Sequence, residues 1–115
     1  MGNNIVASKS KAFAIRCIKL YQYLVNEKKE YVMSKQLLRS GTSIGANIRE
    51  ALRGQSKADF YSKLSISLKE ASETEYWLEL LNETGFIEDK FFDGIYSDCQ
   101  ELISLLVAIT KHQKE

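Results

Sequence analysis

Proline is absent from the 115-residue chain. It is the residue that helix interiors tolerate least, so its absence suits long uninterrupted helices. Histidine occurs once, as His112, three residues from the end. A Ser-His-Asp or Cys-His arrangement needs a histidine base held in position, which a chain end does badly. His112 is read instead as a solvated partner of the last helical turn. Cysteine occurs twice, at Cys17 and Cys99. One histidine and two distant cysteines make no zinc spacing, and both thiols are expected to pack as small core hydrophobes. No run of ~18 apolar residues is present, which excludes a transmembrane helix. Met1-Gly2-Asn3-Asn4 lacks the basic-then-apolar layout of a signal peptide. Glycine-rich phosphate loops of the Walker or dinucleotide type are missing too. These absences predict a non-enzymatic cytoplasmic protein with reduced thiols, no cofactor and no metal.

Net charge is also scarce, at +1. That total is a cancellation. Residues 1–69 hold 13 Lys/Arg against 4 Asp/Glu, and residues 70–115 hold 3 against 11, so the halves carry +9 and −8.

What is present is helical periodicity. Hydrophobic residues make up 44% and charged residues 27%, a globular balance, and the length suits one domain over residues 1–115. Four apolar-periodic segments predict helices near 5–28, 33–53, 57–84 and 89–112. The first carries two seams, Phe13/Cys17/Leu20/Leu24 and Ala14/Ile18/Tyr21/Val25. The second aligns Met33, Leu37, Ile44, Ile48 and Ala51, the third Phe60, Leu64, Ser67, Leu68, Ala71, Leu78 and Leu81, and the fourth Phe92, Ile95, Cys99, Leu102, Ile103, Leu106 and Ile109. Short connections make consecutive helices antiparallel neighbours, so the fold class is all-α, an antiparallel up-down-up-down four-helix bundle. Gly41 and Gly45 sit one turn apart inside the second helix, which predicts a closely approaching neighbour. Gly54 is read as a stop, Ser56 and Glu88 as caps, and Gly85 as a left-handed terminus.

Three surface patterns bear on function. At about 100° per residue, Lys35, Arg39, Arg49 and Arg53 fall within about 80° of one another, opposite the apolar face of their helix. Lys57 extends this stripe if the helix continues through Gly54. It reads as a solvated face, as a track for phosphate backbone, or as a partner for acidic residues such as Glu75, Glu79 and Glu83 within or between chains. A second apolar stripe on the third helix, Ile66, Trp77 and Leu80, widens its apolar arc to roughly 240°, where a bundle helix needs little over ~100°. The surplus is either a broad core edge or an oligomer interface. A polar strip, Ser40, Ser43 and Asn47, points to close helix packing with Asn47 bonded to a neighbouring helix, or to a ligand site. A di-iron site needs Glu-x-x-His, and Ile109 stands where that glutamate belongs. Glu50, Glu70, Glu73 and Glu101 are the remaining carboxylate cluster, expected to pair with cations such as Arg39 or Arg49 instead.

The stretch Leu38-Arg39-Ser40-Gly41-Thr42-Ser43-Ile44-Gly45-Ala46-Asn47-Ile48-Arg49-Glu50-Ala51 resembles the signature of a bacterial four-helix-bundle family. Its founding members are encoded by intervening sequences inside 23S rRNA genes. The likeness extends to Phe60 and to Ser67-Leu68-Lys69-Glu70-Ala71, and spans the whole chain in length and helix order. Gly45 stands where proline is frequent, Ala51 replaces a usual glycine, and the following Gly-Arg is altered around Arg53-Gly54. The resemblance implies an up-down bundle, a ring-shaped homopentamer and no catalytic activity. A related branch, the accessory protein of diversity-generating retroelements, is strongly basic and is thought to bind nucleic acid and a reverse transcriptase. The near-neutral charge here departs from that branch. The expectation is a self-associating binding or scaffold protein with an RNA or protein partner and no membrane contact.

Overall fold

A computed structural model of the chain describes residues 2–114, with side chains over 5–112. Met1 and the side chains that bear on the signal-peptide reading lie outside the described residues. Four helices run in order: α1 (Gly2–Asn26), α2 (Met33–Leu52), α3 (Lys57–Glu83) and α4 (Asp89–Thr110), followed by a 3-10 turn, Lys111–Lys114. No strand occurs among the described residues, and no helix is long and apolar enough to cross a membrane. The helices pair antiparallel as α1–α2, α2–α3, α3–α4 and α4–α1, which makes the expected four-helix bundle.

One core runs along the bundle axis. It takes Phe13, Cys17, Leu20 and Leu24 from α1, and Leu37, Ile44 and Ile48 from α2. From α3 come Leu64, Ala71, Leu78 and Leu81, and from α4 Ile95, Cys99, Leu102 and Leu106. The second seam of α1 stays at the margin, with Ile18 40% exposed. Cys17 and Cys99 are free, buried thiols. Burial pushes Cys17 up to about 12, against the pull of the Arg16 charge, and burial first, then Glu75, also raises Cys99. Neither is a thiolate at neutral pH.

The glycines of α2 face α1. A Cβ on Gly41 would lie 2.5 Å from the Cys17 Sγ, and one on Gly45 would lie 3.3 Å from the Ser10 Oγ. Helix approach therefore leaves no room for a side chain at Gly41 and little at Gly45. Gly54 follows the last turn of α2, as expected of a stop, and its N–H donates to the Ala51 carbonyl at 3.0 Å. Its backbone is not left-handed; the Asp59 carboxylate lies against it, 2.5 Å from where a Cβ would stand. Ser56 caps α3 by accepting from the Asp59 N–H at 3.0 Å. At the other end Gly85, at φ 84, closes α3, with the Phe86 N–H donating to the Leu81 carbonyl at 2.9 Å. Glu88 precedes α4 without a side-chain cap bond. Asn82 organises that corner instead, donating to the Ile87 carbonyl and the Asp89 carboxylate.

The start of α2 rests on a residue that periodicity did not single out. Glu30 is buried, and its carboxylate accepts from the N–H groups of Val32, Met33 and Ser34 at 3.1, 3.0 and 2.7 Å. The Ser34 hydroxyl returns a bond to the Glu30 carbonyl. Burial disfavours the Glu30 charge, yet these donors outweigh it and hold the carboxyl below the ordinary glutamate range. Lys29, at φ 56, makes the tight turn ahead of it.

Candidate functional site

Charge on α2 divides into a paired part and a free part. Arg39 donates to Glu70 at 3.2 Å and also to Glu73, both on the edge of α3 that flanks α2. Lys63 of α3 pairs with Glu50 at 3.1 Å. Lys35, Arg49, Arg53 and Lys57 are exposed and form no ion pair with a described carboxylate. Lys57 does not continue the stripe along α2. The helix ends at Leu52, and Lys57 opens α3 after the turn.

The acidic stripe does not meet these cations within the chain. Glu79 accepts from the Tyr96 hydroxyl of α4 at 2.5 Å. At about 100° per residue, Glu75 and Glu83 flank Glu79 on that same α4 side of α3. The bond to Glu79, then burial, raises the Tyr96 hydroxyl. The glutamates that meet α2 are Glu70 and Glu73, because they fall on the opposite edge of the helix. The imagined carboxylate cluster is likewise dispersed: Glu70 and Glu73 hold Arg39, Glu50 holds Lys63, and Glu101 holds Lys9 at 3.2 Å. Among the described residues no three His, Cys, Asp or Glu side chains gather as metal ligands would.

The polar strip of α2 is structural, with its roles redistributed. Ser40, rather than Asn47, bonds across helices, accepting from the buried Thr74 hydroxyl of α3 at 2.8 Å. Asn47 donates to the Ser43 carbonyl of its own helix at 2.9 Å, and Ser43 to the Arg39 carbonyl at 2.6 Å. A second cross-helix bond runs from the Ser67 hydroxyl to the Ile44 carbonyl at 2.8 Å. Both inter-helix hydroxyl bonds pin the register of α2 on α3, and neither was visible in hydropathy.

On the outer face of α3, Ile66 is 40% exposed and Leu80 half-buried. Trp77 is half-buried and packs against the core, with its indole N–H shielded and without a partner among the described residues. Tyr76, 54% exposed, meets the Trp77 ring edge-on at 5.4 Å.

Two open clefts mark the surface. One, of about 1020 Å³, lies beside the C-terminal half of α2, where Lys11 of α1 and Lys63 of α3 join Arg49 and Arg53. The other, of about 830 Å³, lies between α1 and the α3–α4 turn and is lined by Lys19, Lys28, Tyr23, Phe86 and Phe91 among others. Sequence reasoning missed Lys11 and Lys63, since a one-helix wheel does not show which cations of other helices arrive at the same cleft.

The architecture and surface define an antiparallel four-helix bundle with cations on its outer face. A family model for the 23S rRNA-intervening sequence protein matches residues 2–108, and the chain belongs to that family. It is also similar to a crystal structure from Bacteroides thetaiotaomicron, a protein of unknown function from the S23 ribosomal protein family. The two share 58% identity at a TM-score of 0.95, over 96% of this chain and 99% of the other. No functionally curated protein matches the chain.

Proposed function

We propose that this protein is a non-catalytic, self-associating binding module of the cytoplasm that contacts RNA, or an RNA-processing partner, through the free cations of α2. The observation that carries this reading is the division of charge. Arg39 is satisfied by Glu70 and Glu73, whereas Lys35, Arg49 and Arg53, with Lys57 beyond them at the start of α3, are exposed and form no ion pair with a described carboxylate. Unneutralised cations along one face are what a polyanion displaces counterions to reach. Family membership lends support, through the resemblance to proteins encoded inside 23S rRNA genes.

Self-association, as the homopentamer that the resemblance implies, is supported by the apolar ridge of Ile66, Tyr76, Trp77 and Leu80 on α3. Aromatic and aliphatic side chains half-exposed together favour burial against a partner. Light scattering at micromolar concentration tests this: a mass several times 13.1 kDa is expected, and a monomer at every concentration overturns it. An electrophoretic shift with structured RNA at two salt concentrations tests the partner. Binding should weaken steeply with salt and vanish when Arg49 and Arg53 are both changed to glutamate. If RNA binding is absent at low salt while the double variant breaks a protein complex, the module binds protein alone.

A further inference from the structure

We infer that the cleft beside the C-terminal half of α2 is a phosphate-chain site, built by Lys11, Arg49 and Arg53, that reads phosphate without reading base. This rests on the proposal above that the protein contacts RNA, and narrows that contact from a face to a place.

Free cations are not spread evenly along the stripe. Lys35 lies eighteen residues from Arg53, about 27 Å along a helix axis, and Arg39 between them is held by α3. Arg49 and Arg53 stand one turn apart, so both guanidinium groups overhang the same cleft, and Lys11 enters from α1 on the opposite wall. None of the three forms an ion pair with a described carboxylate. Two acids also line the cleft. Glu50 holds Lys63 at 3.1 Å, and Asp59 sits at the first turn of α3 against the backbone of Gly54. Lys11, Arg49, Arg53 and Lys63 against Glu50 and Asp59 leave the cleft with a surplus of positive charge.

Its shape argues for the same class of ligand. Ala7, Ala14, Gly45 and Ala46 line it, so a chain can approach the helix backbones closely. The volume of about 1020 Å³ is open rather than pocket-like, and suits a strand passing through. No aromatic ring lines it. Base recognition on single strands relies on stacking against such rings, whereas arginine forks bind phosphate oxygens directly. The shared chemistry is a run of phosphates, which single-stranded RNA and inorganic polyphosphate both supply.

The experiment measures binding of homopolymeric RNA oligonucleotides of each base, and of inorganic polyphosphate, to the full chain. The variants are Lys11→Gln, Arg49→Gln and Arg53→Gln combined, and separately Ala46→Phe, which obstructs the cleft without altering charge. Lys90→Gln, at an exposed lysine in the first turn of α4, is the charge control at the opposite end of the bundle. Circular dichroism verifies that each variant folds. The expected result is a loss of about tenfold or more in RNA affinity for the triple variant and for Ala46→Phe, with little change for Lys90→Gln. The salt slope of the triple variant should be shallower by about 2, since each single-strand phosphate contact contributes about 0.7. The bases should bind alike, and polyphosphate should compete. RNA binding lost in the triple variant but unaffected by Ala46→Phe overturns the cleft assignment and leaves the reading of α2 as a basic RNA-contacting face standing, whereas RNA binding unaffected by either variant overturns both. A strong base preference also overturns it. Polyphosphate binding that depends on the cleft, with no RNA binding, keeps the assignment and removes RNA as the ligand. Binding of neither overturns both.

Discussion

The seam between α2 and α3 and the seam between α4 and α1 close the same bundle by different chemistry. Between α2 and α3 the exposed ion pairs of Arg39 and Lys63 are backed by buried polar contacts: Thr74 donates to Ser40 and Ser67 to the Ile44 carbonyl, among buried apolar side chains. Between α4 and α1 the polar contacts are exposed: Lys9 pairs with Glu101, and Arg16 pairs with Asp98 while lying over the Phe91 ring at 5.8 Å. A buried hydroxyl without its partner costs about 1–3 kcal/mol, so the first seam accepts only one register. Half-exposed ion pairs are worth ~0–1 kcal/mol and tolerate sliding. The α2–α3 pair is thus the rigid half, and it carries both the paired Arg39 and the free cations of the candidate site.

The sharpest way to break this contrast is Ser67→Leu. Overpacking costs about 1–3 kcal/mol and the lost bond about 1 more, so chemical denaturation should show a loss of roughly 2–4 kcal/mol. A loss no larger than that of an α1–α4 surface variant would erase the distinction. Glu30 extends the buried-polar rule to the start of α2. Its carboxyl is held below the ordinary glutamate range in the folded chain, so its contribution is full above ~4.3, the unfolded value. That contribution fades as pH falls through the lower folded value. Glu30→Gln should cost about 0.5–2 kcal/mol at neutral pH, as loss of a helix cap does, and should flatten the acid side of a stability-against-pH curve. An unchanged acid limb would remove Glu30 from that role. The smallest effect is expected at Arg16→Ala. Both partners of its ion pair with Asp98 are more than a third exposed, so thermal unfolding should register less than about 1 kcal/mol, shrinking further in high salt.

Much of the fold was legible in the sequence. Helix limits agreed to within a few residues, since uninterrupted periodicity without proline leaves few other conformations. The first seam of α1, Phe13, Cys17, Leu20 and Leu24, is buried as its spacing requires. Gly41 and Gly45 announced close packing, and Ser56 and Gly85 their caps. What hydropathy missed was polar and buried. Glu30, Thr74 and the cross-helix role of Ser40 look like surface residues until their partners are placed. The candidate site was half legible. Arg49 and Arg53 stood out on a wheel, but so did Arg39, which α3 neutralises, and Lys57, which belongs to the next helix.

A net charge of +1, no proline and four periodic segments determine, by themselves, an all-helical antiparallel bundle with opposite charges in its two halves. Local periodicity suffices for that, because each helix must bury one stripe and short connections leave only neighbours to bury it against. Which charges cancel was decided by tertiary structure alone. Coulomb attraction acts between side chains a few ångströms apart, and only the packing of α3 on α2 brings Glu70 and Glu73 to Arg39 while leaving Arg49 and Arg53 beside Lys11 without an ion pair to a described carboxylate.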